Sequence, residues 1–187
     1  MTVGGFLEFV LGNTFPFVVF ISFGAFWLTL AATLQPFYNA YGAYAPAGEP
    51  ASSGIATEGF TASFGFFLLF MGLLCFIYLI CSLRTNVAFV IIFLSLVVGF
   101  GLLTGSYWNS AMAIASTSPA RAAAKLAIAQ RTQVGAGASF LVTCLAGWWI
   151  FFAIMLASLD FPFQVPVGDL STLIKGASER KNERDMV

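Results

Sequence analysis

Four stretches of this chain stay apolar for about the 20 residues that a membrane-crossing helix needs. They run from Thr14 to Gln35, Thr61 to Leu83, Asn86 to Tyr107 and Val134 to Leu159. A hydrocarbon core of about 30 Å is crossed by about 20 residues rising about 1.5 Å each. None of the four alternates with the period of two that a membrane β-barrel strand requires. Within lipid the backbone must satisfy its own hydrogen bonds, so helices remain. The pattern predicts an all-α, polytopic membrane protein with four full transmembrane helices. Ahead of them, Met1 to Leu11 is apolar and short and reads as the end of a fifth helix. Met1 to Val10 lacks the basic start and small-residue cleavage site of a signal peptide. Between Ser118 and Arg131 lies a short Ala-rich helical pattern. Ser118 suits an N-cap and Pro119 the first helical position. This segment either lies at the interface or extends a neighbouring span.

Charge placement adds an orientation. After Glu8 the next charged residues are Glu49, Glu58 and Arg84, and none falls from Thr85 to Ala120 or from Thr132 to Leu159. The loop from Gln35 to Phe60 has two Glu and no Lys or Arg, which places it outside. The turn from Ser82 to Asn86 and the tail bearing Lys175, Arg180, Lys181 and Arg184 are then cytoplasmic. One loop, with Arg121, Lys125 and Arg131, opposes this assignment. The expected organisation is a transmembrane domain over residues 1–171 and a disordered cytoplasmic tail over 172–187. Tyr38, Tyr41, Tyr44, Tyr107 and Trp108 fall at the same outer edge, where amphipathic rings favour the headgroup zone. The alternative is that they simply pack in a loop.

Composition narrows the function. Hydrophobic residues make up 59% of the chain and charged residues 9%, with 22 Phe. A soluble domain cannot cover itself with so few charges, so an ordinary cytosolic enzyme is excluded. Eight Lys and Arg balance eight Asp and Glu, leaving no basic excess for nucleic acid. There is no His, which removes the commonest catalytic base. Cys75, Cys81 and Cys144 sit inside apolar runs without metal or disulfide spacing. Asp160 and Asp169 flank the last exit and read as interfacial or capping residues. No enzyme, cofactor or metal is expected.

The spans contain no carboxylate or amine, so any relay through an ionisable group would come from elsewhere. Hydroxyls, amides and glycines remain. Ser22, Ala25, Thr29 and Thr33 share one face of the first span. Ser95, Gly99, Leu102, Ser106 and Asn109 share one face of the third, where Gly101 and Gly105 add a small-xxx-small pair. One reading is helix packing. The other is a path lined by neutral hydrogen-bonding groups, suited to a small polar solute, with Asn39 and Asn109 at its entrance.

Two motifs name that solute by resemblance. Gly12-Asn13-Thr14-Phe15, Phe20 to Leu28, and Gln35-Pro36-Phe37-Tyr38-Asn39-Ala40-Tyr41 resemble the third helix, and its exit, of the acetate uptake transporter family. That family holds the bacterial succinate–acetate permease of the YaaH type and its fungal relatives; the fungal branch fits best. Ala146-Gly147-Trp148-Trp149 and Phe161 to Ser171 resemble its last helix and Pro-Val-Gly-Asp-Leu exit. The resemblance runs from about Gly4 to Ser171 and is weaker in the middle. It implies a plasma-membrane transporter or channel subunit for acetate and similar small monocarboxylates, with proton coupling and ammonium export as further expectations. It implies a homohexamer of six-helix subunits. It also implies a hydrophobic constriction, whose members map to Phe23 and to Leu96, or to Ser95 if the alignment slips by one. The family's Asn-Pro-Ala-Pro-Leu-Gly-Leu signature, first helix and most of the second have no counterpart here, so the chain reads as an N-terminally truncated member. A non-transporting membrane scaffold or regulatory protein is the alternative.

Overall fold

A computed structural model describes residues 1–174, 176, 177 and 185. Its helices are α1 (Thr2–Val10), α2 (Thr14–Leu34), α3 (Glu58–Ser82), α4 (Val87–Ile114) and α5 (Pro119–Ser158). Three short 3-10 turns, Pro36–Tyr38, Gly42–Tyr44 and Ala51–Ala56, fill the connection from α2 to α3. Helices α2 to α5 are each long and apolar enough to cross a membrane. The chain is therefore the all-α polytopic protein that its pattern predicts.

Helix ends follow local chemistry. Glu58 opens α3, where a carboxylate suits the positive end of the helix dipole. Asn86 caps α4 by accepting from the Phe89 amide at 2.9 Å. Pro119 is the first residue of α5, and the Ser118 carbonyl takes the first bond from Ala122 at 2.9 Å. Two helices outrun the expected spans. No breaker follows Tyr107, so α4 continues to Ile114. The Ala-rich segment extends the last span, giving α5 its 40 residues. At about 1.5 Å per residue that is about 60 Å, twice the hydrocarbon thickness.

The chain divides into two compact units, and α3, α4 and α5 each contribute to both. The first comprises Met1–Phe67 and Gly105–Ala129. In it α1 folds back on α2, with the Phe9 and Phe17 rings 5.0 Å apart. At the turn, Asn13 donates to the Glu8 carboxylate at 2.7 Å. Aromatic rings organise the rest. Phe60 meets Tyr41, Tyr44 and Phe64, and Phe64 meets Phe67 and Tyr107. Phe67 stacks on Phe26 at 5.1 Å. The Trp108 indole donates to the Ala62 carbonyl at 3.3 Å and rests on Gly65. The outer-edge aromatics thus pack on phenylalanines: Tyr38 on Phe37, Tyr41 and Tyr44 on Phe60, Tyr107 on Phe64 and Trp108 on Phe66.

The second unit comprises Leu68–Thr104 and the chain from Gln130 onward. Its core pairs α3 with α4 through Tyr78 and Phe93, whose rings lie 5.5 Å apart. Beyond α5 an extended strap closes on the α3–α4 turn. The Val87 amide donates to Gly168 O at 2.8 Å, the Leu170 amide to Thr85 O at 3.0 Å, and Asn86 bridges Asp169. The Trp149 indole holds the strap by donating to Pro166 O at 2.9 Å. Gly168 makes this docking possible. Its φ is +72°, and a Cβ there would stand 2.7 Å from a Val87 methyl. The basic tail residues Lys175, Arg180, Lys181 and Arg184, on which the cytoplasmic-tail reading rests, lie outside the described residues.

Candidate functional site

The polar groups within the spans fall into two sets that differ in what stands opposite them. On α4, the face carrying Ser95, Gly99, Leu102 and Ser106 is directed at α5. In the second unit Ser95 Oγ lies 2.7 Å from Thr143 Oγ1, and Ser139 Oγ donates to the Ser95 carbonyl at 2.7 Å. Ser95 also bonds its own helix at Ile91 O, 2.7 Å away. Gly99 lies under the Phe140 ring, and a Cβ at Gly135 would meet Leu102 at 3.2 Å. In the first unit Ser106 Oγ donates to the Ala129 carbonyl at 2.8 Å. Both hydroxyls are buried. They hold α4 to α5 with interhelical hydrogen bonds of the kind that small and hydroxylated residues make in lipid. Asn109, half-buried one turn further on, donates to Gly105 O at 2.8 Å.

On α2 the corresponding face is open. Ala25 and Thr29 are exposed, and Ser22 and Thr33 are half-buried. Ser22 donates to Val19 O at 2.9 Å and Thr33 to Thr29 O at 2.8 Å, so both hydroxyl protons are used within their own helix. Phe23, beside Ser22, is buried within the first unit. Leu96, beside Ser95, is buried within the second. Asn39, the entrance candidate, adopts the left-handed conformation at φ +52° and ends the first 3-10 turn.

Three polar residues escaped the sequence pattern. Ser139 and Thr143 lie four apart on α5, a spacing that the stripe argument applied to α4 would have caught. Thr104 is a lone buried hydroxyl with no such signal. At the strap, Val87, Ala88, Ile91, Ala146, Trp149 and Pro166 to Gly168 line an apolar recess of about 410 Å³. Among the described residues the strap carries the one carboxyl outside the spans with a resolved shift. The Ser171 backbone N–H donates to Asp169 Oδ1 at 2.8 Å, and together with the Ser171 side chain it holds the Asp169 carboxyl below the usual carboxylate range. Among the described residues no group of three or more His, Cys, Asp or Glu could hold a metal ion.

The pattern of the GPR1/FUN34/yaaH family matches residues 1–172. The chain belongs to this family. Members are membrane transporters and permeases rather than enzymes. The chain is 37% identical over 165 residues to protein alcS of Aspergillus fumigatus, covering 88% of this chain and 57% of that protein. It is 30% identical over 189 residues to acetate permease A of Emericella nidulans, covering 99% and 57% respectively. It is 33% identical over 100 residues to the meiotically up-regulated gene 86 protein of Schizosaccharomyces pombe, covering 54% and 30%. The chain thus spans little more than half the length of alcS and of acetate permease A. No solved structure gives a significant match.

Proposed function

We propose that this chain is a plasma-membrane transporter or channel subunit for acetate and similar small monocarboxylates. The observation that carries the proposal is its similarity to acetate permease A along 99% of its own length. The neutral polar groups on α2 fit such a cargo. Ser22 and Thr33 donate to carbonyls of their own helix, so a hydroxyl oxygen there accepts from the protonated acid, without the desolvation cost that a buried fixed charge would bring. Short carboxylic acids titrate near the side-chain carboxyl range of about 4. A proton therefore travels with the acid itself, and no ionisable relay within the spans is needed.

Phe23 and Leu96 serve as the hydrophobic constriction, and Ser22, Thr29 and Thr33 line the approach along α2. Ser95 and Ser106 act there through the α4–α5 seam and face the path only if that seam opens. Their bonds to α5 favour a second reading, a membrane scaffold that transports nothing. In the orientation we propose, the α2–α3 connection is outside and the strap cytoplasmic. The exposed apolar faces of α5, with Leu141, Leu145 and Trp148, meet lipid or further copies of the subunit.

The test is uptake of labelled acetate in fungal cells lacking their own acetate permeases. The gene is expressed as this 187-residue chain and as its longest in-frame form. Saturable, acid-stimulated uptake by either form supports transport. Membrane-inserted protein without uptake in both forms leaves the scaffold reading.

A further inference from the structure

Hydroxyls on the long helices of this chain commonly return to a carbonyl three or four residues back. Ser22, Thr33, Thr61, Ser82, Ser95 and Ser158 all do so. Thr104 does not. Its Oγ1 is buried and has no hydrogen-bond partner among the described residues. The residue as a whole is 3% exposed.

Its place on α4 is informative. Thr104 follows Phe93 by eleven residues and Phe100 by four, on one helix face. That face packs on α3, and the Phe100 ring also meets Phe140 of α5 at 5.3 Å. Phe93 meets Tyr78, and the Phe100 Cβ stands 3.1 Å from where a Cβ on Gly72 would be. Opposite, α3 presents Leu68, Met71, Cys75 and Tyr78, all buried and spaced by threes and fours. The hydroxyl therefore lies in an apolar helix interface within one compact unit. Burying a donor without an acceptor costs the full desolvation of that group. The closed pairing of α3 with α4 carries this cost. An arrangement in which the helices part, and an acceptor reaches Thr104, does not.

We propose that Thr104 is a gating residue, unpaired while α3 and α4 are closed and hydrogen-bonded by a carboxylate oxygen of the solute or its hydration water when they part. This inference rests on the transport reading and deepens it. A ligand shifts a two-state element only by interacting better with one state, and an orphan donor supplies that difference.

Thr104→Val keeps the side-chain shape and removes the hydroxyl, while Thr104→Ser keeps the hydroxyl. Cys75, 0% exposed on the facing stripe of α3, reports parting of the helices through its modification by N-ethylmaleimide. Exposed Cys81 and Cys144 are internal references, resolved site by site by mass spectrometry. Thr104→Val should raise the melting temperature and slow Cys75 modification by about fivefold or more, the factor that an unsatisfied buried hydroxyl is worth at its lower limit. Acetate uptake should fall with it, and Thr104→Ser should stay near the wild type in all three readouts. Cys75 rates in Thr104→Val within about twofold of wild type, short of that lower limit, overturn the proposal. So does a lowered melting temperature, which would mean that the hydroxyl is already paired. A wild type that takes up no acetate defeats the transport reading alone, because the Cys75 rates still decide the role of Thr104.

Discussion

Replacing Gly99 with alanine should destabilise the protein, whereas replacing Gly101 with alanine should not. Both glycines lie in the interior of α4, two residues apart. Alanine is the better helix former at both by about 1 kcal/mol in water. Whatever that gain becomes in a bilayer, it applies to both sites and cancels in their difference. What differs is the space. A Cβ on Gly101 meets nothing within 4 Å. A Cβ on Gly99 runs into the Phe140 ring, with Phe140 Cδ1 at 2.8 Å and Cζ at 3.0 Å. The ring cannot swing away freely, because Phe100 also packs against it edge-on at 5.3 Å and 70°. Overpacking of this kind costs about 1–3 kcal/mol. The flanking bonds from Ser95 and Ser139 would also lengthen as α4 moves off α5, at about 0.6 kcal/mol for each interhelical bond. Gly99→Ala should therefore fall below Gly101→Ala by about 1–4 kcal/mol. Reversible unfolding in mixed micelles, followed by tryptophan fluorescence, measures both variants under one set of conditions. Equal stabilities, or a more stable Gly99→Ala, would refute the close α4–α5 contact.

The strap, the seam and the constriction give four further expectations. Gly168→Ala forces a residue with a Cβ to φ +72° against Val87, costing about 1–2 kcal/mol locally. Hydrogen exchange at the Val87 and Leu170 amides should speed up, and unchanged protection would count against the docked strap. Asp169 has a depressed folded-state pKa, so its contribution to strap docking is present above its unfolded value of about 4 and lost as pH falls through the folded one. Asp169→Asn should abolish that loss, and an acid titration of strap exchange unaltered by the substitution would contradict it. Ser95→Ala should cost under about 1 kcal/mol, because Thr143 keeps Ser139 O at 3.3 Å as a partner; a loss of several kcal/mol would assign the seam a larger role. Phe23→Ala should raise uptake of longer acids relative to acetate, and an unchanged ratio would remove Phe23 from the constriction.

The spans were legible because a bilayer demands long uninterrupted apolar runs, and their chemistry allows few alternatives. The true length of α5 was harder to read for the same reason. Arg121, Lys125 and Arg131 break the hydropathy there without breaking the helix, since Ala-rich sequence propagates as well outside lipid as within it. The cap at Asn86 and the start at Pro119 are local chemistry and leave local signals.

The candidate site divides along a different line. Periodicity identifies a helix face, and both hydroxylated stripes are faces as expected. It carries no information about what stands opposite. Ser95 and Ser106 look like Ser22 and Thr29 in sequence, yet the first pair bonds to α5 while the α2 stripe remains largely open. The partner that distinguishes them, Thr143 for Ser95 and the Ala129 carbonyl for Ser106, lies 48 and 23 residues away. Thr104 is the limiting case. Nothing beside it in the sequence marks it, and its meaning comes wholly from a missing bond at a packed interface. In an apolar helix bundle a hydroxyl spent on a neighbour holds structure, and one left unspent is available to a solute. In this arrangement the α4–α5 hydroxyls hold structure, and Thr104 is the hydroxyl that we propose a solute pairs.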